Sequence, residues 1–440
     1  MSVRAKLFVM MVLQFFIWGA WLPLIFGYLP SLGFSKLEQS LVLNAFPLAA
    51  IVGLFFSNQF ADRNFAAEKF LAFSHGVGGV AILLCGFATS FTAFFALMLV
   101  HCLLYVPTIA ITNSIAFAQM KDAQKEFGIV RMGGTIGWIL AAWPFTFVFV
   151  DWSLVAPLGE VGFVEWLGQA LGNGLKGEEA KAATRWTYVA AGAASLLLAL
   201  FSFALPKSAP RRAMEGGEEK LAWFEAVKLL RHPFVLLLWF VTFLDAFVHN
   251  CYFNWTGTFL STPVAEGGVG IPANWVMPVM SVGQIAEIVT MLFLGTVLKN
   301  LGWRWTMVIG VLGHAARFAV YAYFPDFRPA IVSVQVLHGI CYAFYFATVY
   351  IFVDAYFPKD VRSSAQGLFN VMILGAGALL ANSICPMLIQ ETFKEGGRVD
   401  FRALFLVPTF CSLIGAILLA LFFRPPAVPT AEGGAAKTPH

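Results

Sequence analysis

The stretch from Phe70 to Met120 decides the fold. It reads FLAFSHGVGGVAILLCGFATSFTAFFALMLVHCLLYVPTIAITNSIAFAQM and contains no Asp, Glu, Lys or Arg in 51 residues. A helix needs about 20 apolar residues to cross a membrane, and it satisfies its own backbone hydrogen bonds there because lipid cannot. The stretch is therefore long enough for two crossings, and we predict a tight turn near Ser90 between them.

The composition of the whole chain points the same way. Of the 440 residues 59% are hydrophobic and 12% charged, with a mean hydropathy of +0.78, whereas a soluble domain is roughly 25% charged. This excludes secreted disulfide scaffolds, disordered proteins, coiled coils and nucleic-acid binders. The six cysteines all lie in apolar stretches, where they act as small hydrophobic residues. We predict an all-α polytopic protein whose partner is the lipid bilayer, with no nucleic acid, metal or cofactor.

Charge-free stretches along the chain predict twelve spans. Their predicted ranges are 7–29, 38–60, 70–90, 93–118, 129–150, 186–206, 233–259, 271–297, 304–324, 329–356, 364–389 and 403–423. A charged stretch from Lys207 to Arg231 separates them into six and six, which is typical of transporters built from two parallel halves. We therefore predict an N-terminal six-helix half at 1–206, a cytoplasmic linker at 207–232, a C-terminal half at 233–424 and a cytoplasmic tail at 425–440.

The distribution of basic residues predicts the orientation. With the N-terminus in the cytoplasm, 18 of the 28 Lys and Arg residues lie on the cytoplasmic side, as the positive-inside rule requires. Both termini are then cytoplasmic. The loop 151–185 is a long external connection, in which we predict an amphipathic helix from Gly159 to Leu171.

Polar side chains within the fifth span predict a ligand site. Ionisable residues inside a membrane are costly and usually face a cavity or a partner. Arg131, Thr135 and Trp138 follow i, i+4, i+7 spacing and share one helix face. A guanidinium, a hydroxyl and an indole on one stripe can bind a flat, polar ligand. Alternatively, Arg131 extends to the membrane surface as an anchor.

Spans 7 and 8 carry further polar groups. Gln284 and Glu287 are three residues apart on one face of span 8, and Glu287 is too deep to reach the cytoplasmic surface easily. Asp245 and His249 in span 7 have i, i+4 spacing, and histidine titrates nearest to neutral pH. This pair is a candidate proton site or, alternatively, a structural pair. We interpret two residues of span 9, His314 and Arg317, as partners of the outer loops.

The loops after spans 2 and 8 contain matching fragments. Asp62-Arg63 follows span 2, and 295–304 (GTVLKNLGWR) follows span 8. They resemble complementary parts of the loop signature of the major facilitator superfamily, although ordinary polar turns would also explain them.

Six segments, in one order along nearly the whole chain, resemble the nucleoside–proton symporter family of that superfamily. These segments are Leu13–Trp21, Tyr105–Ser114, Arg131–Trp138, Ser281–Glu287, Arg317–Tyr323 and Arg362–Phe369. The resemblance implies the major facilitator fold, in which two six-helix halves work by alternating access, and import of nucleosides with protons across a bacterial inner membrane.

The resemblance also implies roles for individual positions. Those that match the nucleoside-binding residues of the family are Arg131, Thr135, Trp138, Gln284, Glu287, Asn250 and Tyr342. The second amide of span 7 falls on Phe253, with Asn254 adjacent, so we include Asn254 in the predicted site. The family's acidic residue after the span 10 aromatic is Ala343 here. We therefore predict that Asp245 and His249 take part in proton coupling, with Glu287 as the competing site.

Other functions fit the sequence less well. Arg131 and Glu287 could also bind the hydroxyl groups of a sugar, and without a coupling group the protein would be a nucleoside uniporter. A membrane enzyme would need a nucleophile–base pair or a metal cluster, and neither has recognisable spacing here. The sequence has no Gly-rich phosphate loop, so we expect an ion gradient, not nucleotide hydrolysis, to supply the energy.

Overall fold

The computed structural model describes residues 1–56, 66–119, 123–207, 227–357 and 359–424. Nine helical stretches in these ranges are long and apolar enough to cross a membrane. The helices of the N-terminal part are α1 (Val3–Ser31), α2 (Lys36–Phe56), α3 (Ala67–Cys85), α4 (Phe91–Ala118), α5 (Ala123–Ala142) and α6 (Arg185–Ser202). The predicted turn near Ser90 is confirmed, because α3 ends and α4 begins on either side of it.

The C-terminal part contains the remaining helices. They are α7 (Pro233–Ser261), α8 (273–301) and α9 (303–323), α10 (Arg328–Tyr356), α11 (Lys359–Thr392) and α12 (Phe401–Phe422). Two short strands, β1 (Lys394–Glu395) and β2 (Arg398–Val399), pair antiparallel between α11 and α12. These helices correspond one to one with the twelve predicted spans, so the predicted fold class is confirmed.

Four of the C-terminal helices, α8 to α11, depart from regular geometry. Helices α8 and α9 form one continuous stretch, Ala273–Tyr323, that is broken only at Gly302. Gly302 has φ 70° and ψ 177°, a conformation that glycine tolerates because it has no Cβ. Helix α10 widens into a π-helix at Tyr342–Ala347, and α11 does so at Val371–Ala376 and Leu388–Thr392. Such π segments are frequent at functional sites.

The fifth span ends earlier than predicted. Helix α5 stops at Ala142, and only a short turn, Phe145–Val148, follows it. Pro144 lies between the two and has no N–H to continue the hydrogen-bond ladder. The loop 151–185 contains a helix at Phe163–Gly172, displaced from the amphipathic helix predicted from Gly159 to Leu171. The Trp275 indole of α8 donates a hydrogen bond of 2.8 Å to the Leu171 carbonyl of this helix.

The described residues divide into two compact units. The first comprises the described residues within Met1–Ala213 and Phe253–Val282, and the second those within Met214–Tyr252 and Gly283–His440. In the first unit α5 packs closely on α1. The packing is possible because Gly137 has no Cβ, which would overlap the Val12 backbone. The predicted boundaries at 206 and 232 remain predictions, since residues 208–226 lie outside the described ranges. Asp62, Arg63 and the tail 425–440 lie outside them too.

Candidate functional site

The predicted stripe on α5 lies in the first unit. Its three side chains, Arg131, Thr135 and Trp138, are half-buried. The guanidinium carbon of Arg131 lies 4.2 Å from the centre of the Phe15 ring of α1, a distance at which a cation is attracted to an aromatic face. The guanidinium is therefore held in place by a ring and keeps part of its surface open.

Trp138 belongs to a group of rings that we call the aromatic cluster: Trp18, Phe46, Trp138 and Phe253. Trp18 stacks on Phe46 with ring centres 4.6 Å apart and meets Trp138 edge-on at 5.4 Å. Phe253 lies 6.1 Å from Trp138. The Trp18 indole nitrogen is buried and has no hydrogen-bond partner among the described residues. The cluster thus combines flat apolar surfaces with one unused donor.

A second buried group in the first unit, the N-terminal network, comprises Gln14, His75, Thr108 and Ser195. His75 Nδ1 lies 2.9 Å from Ser195 Oγ, and His75 Nε2 lies 2.9 Å from Gln14 Oε1. The Gln14 amide donates to Thr108 Oγ1 at 2.9 Å, and Thr108 donates to the Tyr105 carbonyl. A neutral imidazole that donates from Nε2 to Gln14 and accepts from Ser195 satisfies every one of these groups.

The predicted pair on α8 lies in the second unit. Gln284 is 6% exposed, and its side-chain oxygen has no hydrogen-bond partner within the described part of the chain. Glu287 is half-buried. Helix α10 approaches α8 here, since a Cβ on Gly339 would overlap the Glu287 backbone nitrogen. Glu287 therefore lies at a close helix crossing and keeps some exposure.

The other predicted binding residues lie on α7 and α10. In the second unit, Asn250 is half-buried and donates from its amide to the Ala246 carbonyl at 2.8 Å, while Tyr342 is half-buried in the π segment and lies 6.0 Å from the Phe346 ring. In the first unit, Asn254 is buried and Phe253, not Asn254, contacts Trp138. Each unit therefore contains part of the predicted site.

The second unit also contains a group that we call the histidine cluster: Asp245, His249, His314, Arg317 and His338. Arg317 Nη1 lies 2.8 Å from His338 Nδ1, and Arg317 Nη2 lies 2.9 Å from His314 Nδ1. The guanidinium also lies 4.1 Å from the Tyr252 ring centre. Since arginine can only donate, both Nδ1 atoms accept, and each neutral imidazole carries its proton on Nε2.

Asp245 lies at the edge of this arrangement. Its Oδ2 is 3.7 Å from His314 Nε2, and neither carboxylate oxygen has a hydrogen-bond partner among the described residues. The hydrogen bond to His249 that the i, i+4 spacing permits is therefore not formed. His249 instead stacks on His338, with ring centres 4.9 Å apart. In the described ranges no group of three or more His, Cys, Asp or Glu has the geometry of a metal site.

The interpretation of span 9 was wrong. Arg317 and His314 are 0% exposed and bind to each other and to α10, instead of pairing with outer loops. The i, i+3 spacing of the two residues placed them on one face of α9. No comparable pattern in the sequence marks their partner His338, or Phe46 beside Trp18, because these contacts join separate helices.

Comparison with known proteins identifies the chain. The family described as "Nucleoside H+ symporter" matches residues 1–428. The chain belongs to this family. It is an integral, multi-pass membrane transporter, and the predictions of a nucleoside–proton symporter family and of a transporter, not an enzyme, are confirmed.

Relatives over the full length agree. The chain is 30% identical over 435 residues to the putative nucleoside transporter YegT of Escherichia coli, covering 96% of this chain and 94% of the relative. It is 25% identical to the xanthosine permease of the same organism, covering 96% of each. A crystal structure of a point mutant of the nucleoside transporter NupG matches with TM-score 0.79 and 22% identity over 96% of this chain and 100% of that one. This last similarity shows the fold.

Proposed function

We propose that this protein imports nucleosides together with protons. The observation that carries this proposal is the arrangement on α5, where a half-buried guanidinium over Phe15 and the indole of Trp138 share one helix face. A nucleoside offers a flat base and a ribose with hydroxyl groups. The base can stack on an aromatic ring, and the hydroxyls can hydrogen-bond to a guanidinium, an amide or a carboxylate.

In the first unit, Trp138 stacks with the base and Arg131 and Thr135 hydrogen-bond the substrate. The unpartnered Trp18 indole of the aromatic cluster supplies a further donor. Asn254, the amide next to Phe253 on α7, belongs to the same set. Phe253 adds apolar surface beside Trp138, which favours recognition of a base over recognition of a sugar alone.

In the second unit, Gln284 and Glu287 bind ribose hydroxyls. A buried amide oxygen without a partner is costly unless a ligand supplies a donor, and the Gln284 oxygen is in this position among the described residues. Asn250 and Tyr342 complete the set, since both are half-buried. Asn250 offers its side-chain oxygen, because its nitrogen donates to the Ala246 carbonyl.

Proton coupling is assigned to the second unit as well. Ala343 is 0% exposed and cannot titrate, so another group must carry the proton. Asp245 and His249 both belong to the histidine cluster, which contains the buried positive charge of Arg317. We assign coupling to this cluster, and Glu287 is the competing carboxylate.

The topology completes the proposal. The excess of Lys and Arg on one side of the predicted spans supports a topology with both termini in the cytoplasm. Import would then run from the loop 151–185 towards the linker 207–232. A bacterial inner membrane, which maintains a proton gradient, is the corresponding location. The six-helix halves at 1–206 and 233–424 are the proposed domains.

Uptake by cells tests the proposal directly. Transport-deficient cells that express the full chain should accumulate labelled uridine or adenosine, and a protonophore should abolish the accumulation. A panel of labelled sugars serves as the control and should not be taken up. Accumulation of a sugar without uptake of either nucleoside would contradict the proposal.

A further inference from the structure

We propose that Asp245 is the proton-binding group of this transporter, and that His314 and Arg317 are positioning residues that fix its hydrogen-bond donor and balance its charge. This inference rests on the proposed proton-coupled function. Within the histidine cluster it names one titrating carboxyl group, and it gives two residues of α9 a positioning role.

The hydrogen bonds of Arg317 exclude its two histidine partners as carriers of the transported proton. Each Nδ1 already accepts from the guanidinium, at 2.9 Å for His314 and 2.8 Å for His338. A second proton on either ring would have to occupy that nitrogen. It would break the hydrogen bond to Arg317 and place two positive charges side by side in a buried environment.

Asp245 has no such obstacle. It is 2% exposed, and neither oxygen has a hydrogen-bond partner among the described residues. A proton can therefore bind either oxygen without breaking a bond that the structure contains. The groups that face Asp245 are His249 on its own helix, His314 and Arg317 on α9, and Cys341 and Tyr345 on α10. Thiols and phenols release protons only at alkaline pH, so Asp245 is the acid of this set.

His314 completes the site by its tautomer. Because its Nδ1 accepts from Arg317, its proton lies on Nε2, and this is the atom 3.7 Å from Asp245 Oδ2. An ionised Asp245 carboxylate can draw this N–H into a hydrogen bond, and Arg317 then neutralises the buried negative charge. When Asp245 takes up a proton, the carboxylate becomes a neutral acid and the Nε2–H is no longer held by charge. The two states differ by one proton.

His249 is the most exposed member of this cluster. It is half-buried, whereas Asp245, His314, Arg317 and His338 are at most 2% exposed. It also lies one helical turn from Asp245. We therefore assign His249 to proton exchange between water and Asp245.

Two isosteric substitutions at one position test the positioning role. The amide of glutamine reaches the place of histidine Nε2, whereas the amide of asparagine reaches only the place of Nδ1. His314→Gln keeps a donor for Asp245, and His314→Asn keeps only the acceptor for Arg317. His101→Asn is the matched control, since His101 is a buried histidine of the first unit whose Nδ1 lies 3.0 Å from the Gly78 carbonyl.

The experiment uses the purified full chain in proteoliposomes and labelled uridine and adenosine, with two readouts. Counterflow exchange reports substrate binding and movement, and accumulation under an imposed proton gradient reports coupling. We expect Asp245→Asn and His314→Asn to lose accumulation down to the wild-type level measured with protonophore, while counterflow survives. His314→Gln should retain much of the accumulation, and His101→Asn all of it.

Three results distinguish failure of the Asp245 assignment, of the positioning role of His314 and of the proposed function. Wild-type counterflow with full accumulation in Asp245→Asn would overturn the inference and leave the proposed function intact. Equal accumulation in His314→Asn and His314→Gln would overturn the positioning role of His314. A wild type without nucleoside counterflow would overturn the proposed function itself. In that case infrared difference spectra of the purified protein still test Asp245, because a titrating carboxylic acid band must disappear in Asp245→Asn.

Discussion

The two units each bury histidine within the membrane, and they do so in opposite ways. His75 in the N-terminal network is bonded to Ser195 and Gln14 at 2.9 Å, and a neutral ring satisfies all of its partners. The histidine cluster of the second unit contains the full charge of Arg317 and a carboxylate whose oxygens lack hydrogen-bond partners in the described structure. The first arrangement is satisfied in a single protonation state, whereas the second can gain or lose a proton.

The two arginines differ in the same sense. Both lie over an aromatic ring, Arg131 at 4.2 Å from Phe15 and Arg317 at 4.1 Å from Tyr252. Arg131 is half-buried and Arg317 is 0% exposed. A guanidinium with open surface can bind a substrate, and a fully buried one can only organise its neighbours. We therefore propose that Arg131 binds substrate and that the surroundings of Arg317 serve proton coupling.

The largest effect is expected at Glu287, the carboxylate of α8. Glu287→Gln should abolish or severely reduce nucleoside uptake while protein abundance stays near normal, because the half-buried carboxylate serves the substrate and not the packing. Uptake in cells together with quantitative immunoblotting measures both. Normal transport by a well-expressed variant would remove Glu287 from the site.

Arg317→Lys should abolish proton-driven accumulation and keep counterflow. An ammonium cannot reproduce the fork that reaches His314 and His338 together, so the tautomer of His314 is no longer fixed. Accumulation and counterflow in proteoliposomes measure the two properties separately. If accumulation persisted at the wild-type level, the difference drawn between the two arginines would be lost.

Arg131→Lys should weaken the apparent affinity for nucleoside and leave coupling intact. A charge-assisted hydrogen bond contributes about 1.5–3 kcal/mol, and 1.4 kcal/mol corresponds to tenfold, so we expect a loss of about tenfold or more. Concentration dependence of uptake gives the affinity, and the ratio of accumulation at saturation gives the coupling. If the Lys variant kept the wild-type affinity, Arg131 would be a membrane-surface anchor and not a substrate-binding residue.

His75→Gln should produce the smallest change. The substitution leaves at least one buried partner in the N-terminal network unsatisfied, which costs about 1–3 kcal/mol. We expect a lower temperature of thermal unfolding with unchanged coupling in proteoliposomes. A loss of proton-driven accumulation in a stable His75→Gln protein would show that the neutral network also participates.

Much of the fold could be predicted, because the membrane imposes a local rule. The charge-free stretch from Leu7 to Ser35 predicted α1, and the polar break near Gly302 separated spans 8 and 9. The early end of α5 was also readable from Pro144, although the hydropathy continues past it. The π segment at Tyr342–Ala347 had no local signal, since each of its residues fits an ordinary α-helix.

The candidate site could be predicted only in part, for a related reason. Helical spacing grouped Arg131 with Trp138 and Gln284 with Glu287, because residues on one helix face follow from periodicity. It also suggested a bond between Asp245 and His249 that is not formed. The contact of Asp245 with His314, and of Arg317 with His338, depends on how separate helices pack, and periodicity along one chain segment does not contain that information.

Substrate-induced current in proteoliposomes tests the central claim most directly. A neutral nucleoside that moves with one proton carries net charge, so uridine or adenosine should induce an inward current in the wild type. The current should vanish in Asp245→Asn while counterflow exchange survives. A current that persists in Asp245→Asn would contradict the assignment and point to Glu287, and a wild type that transports nucleoside without any current would contradict electrogenic proton symport.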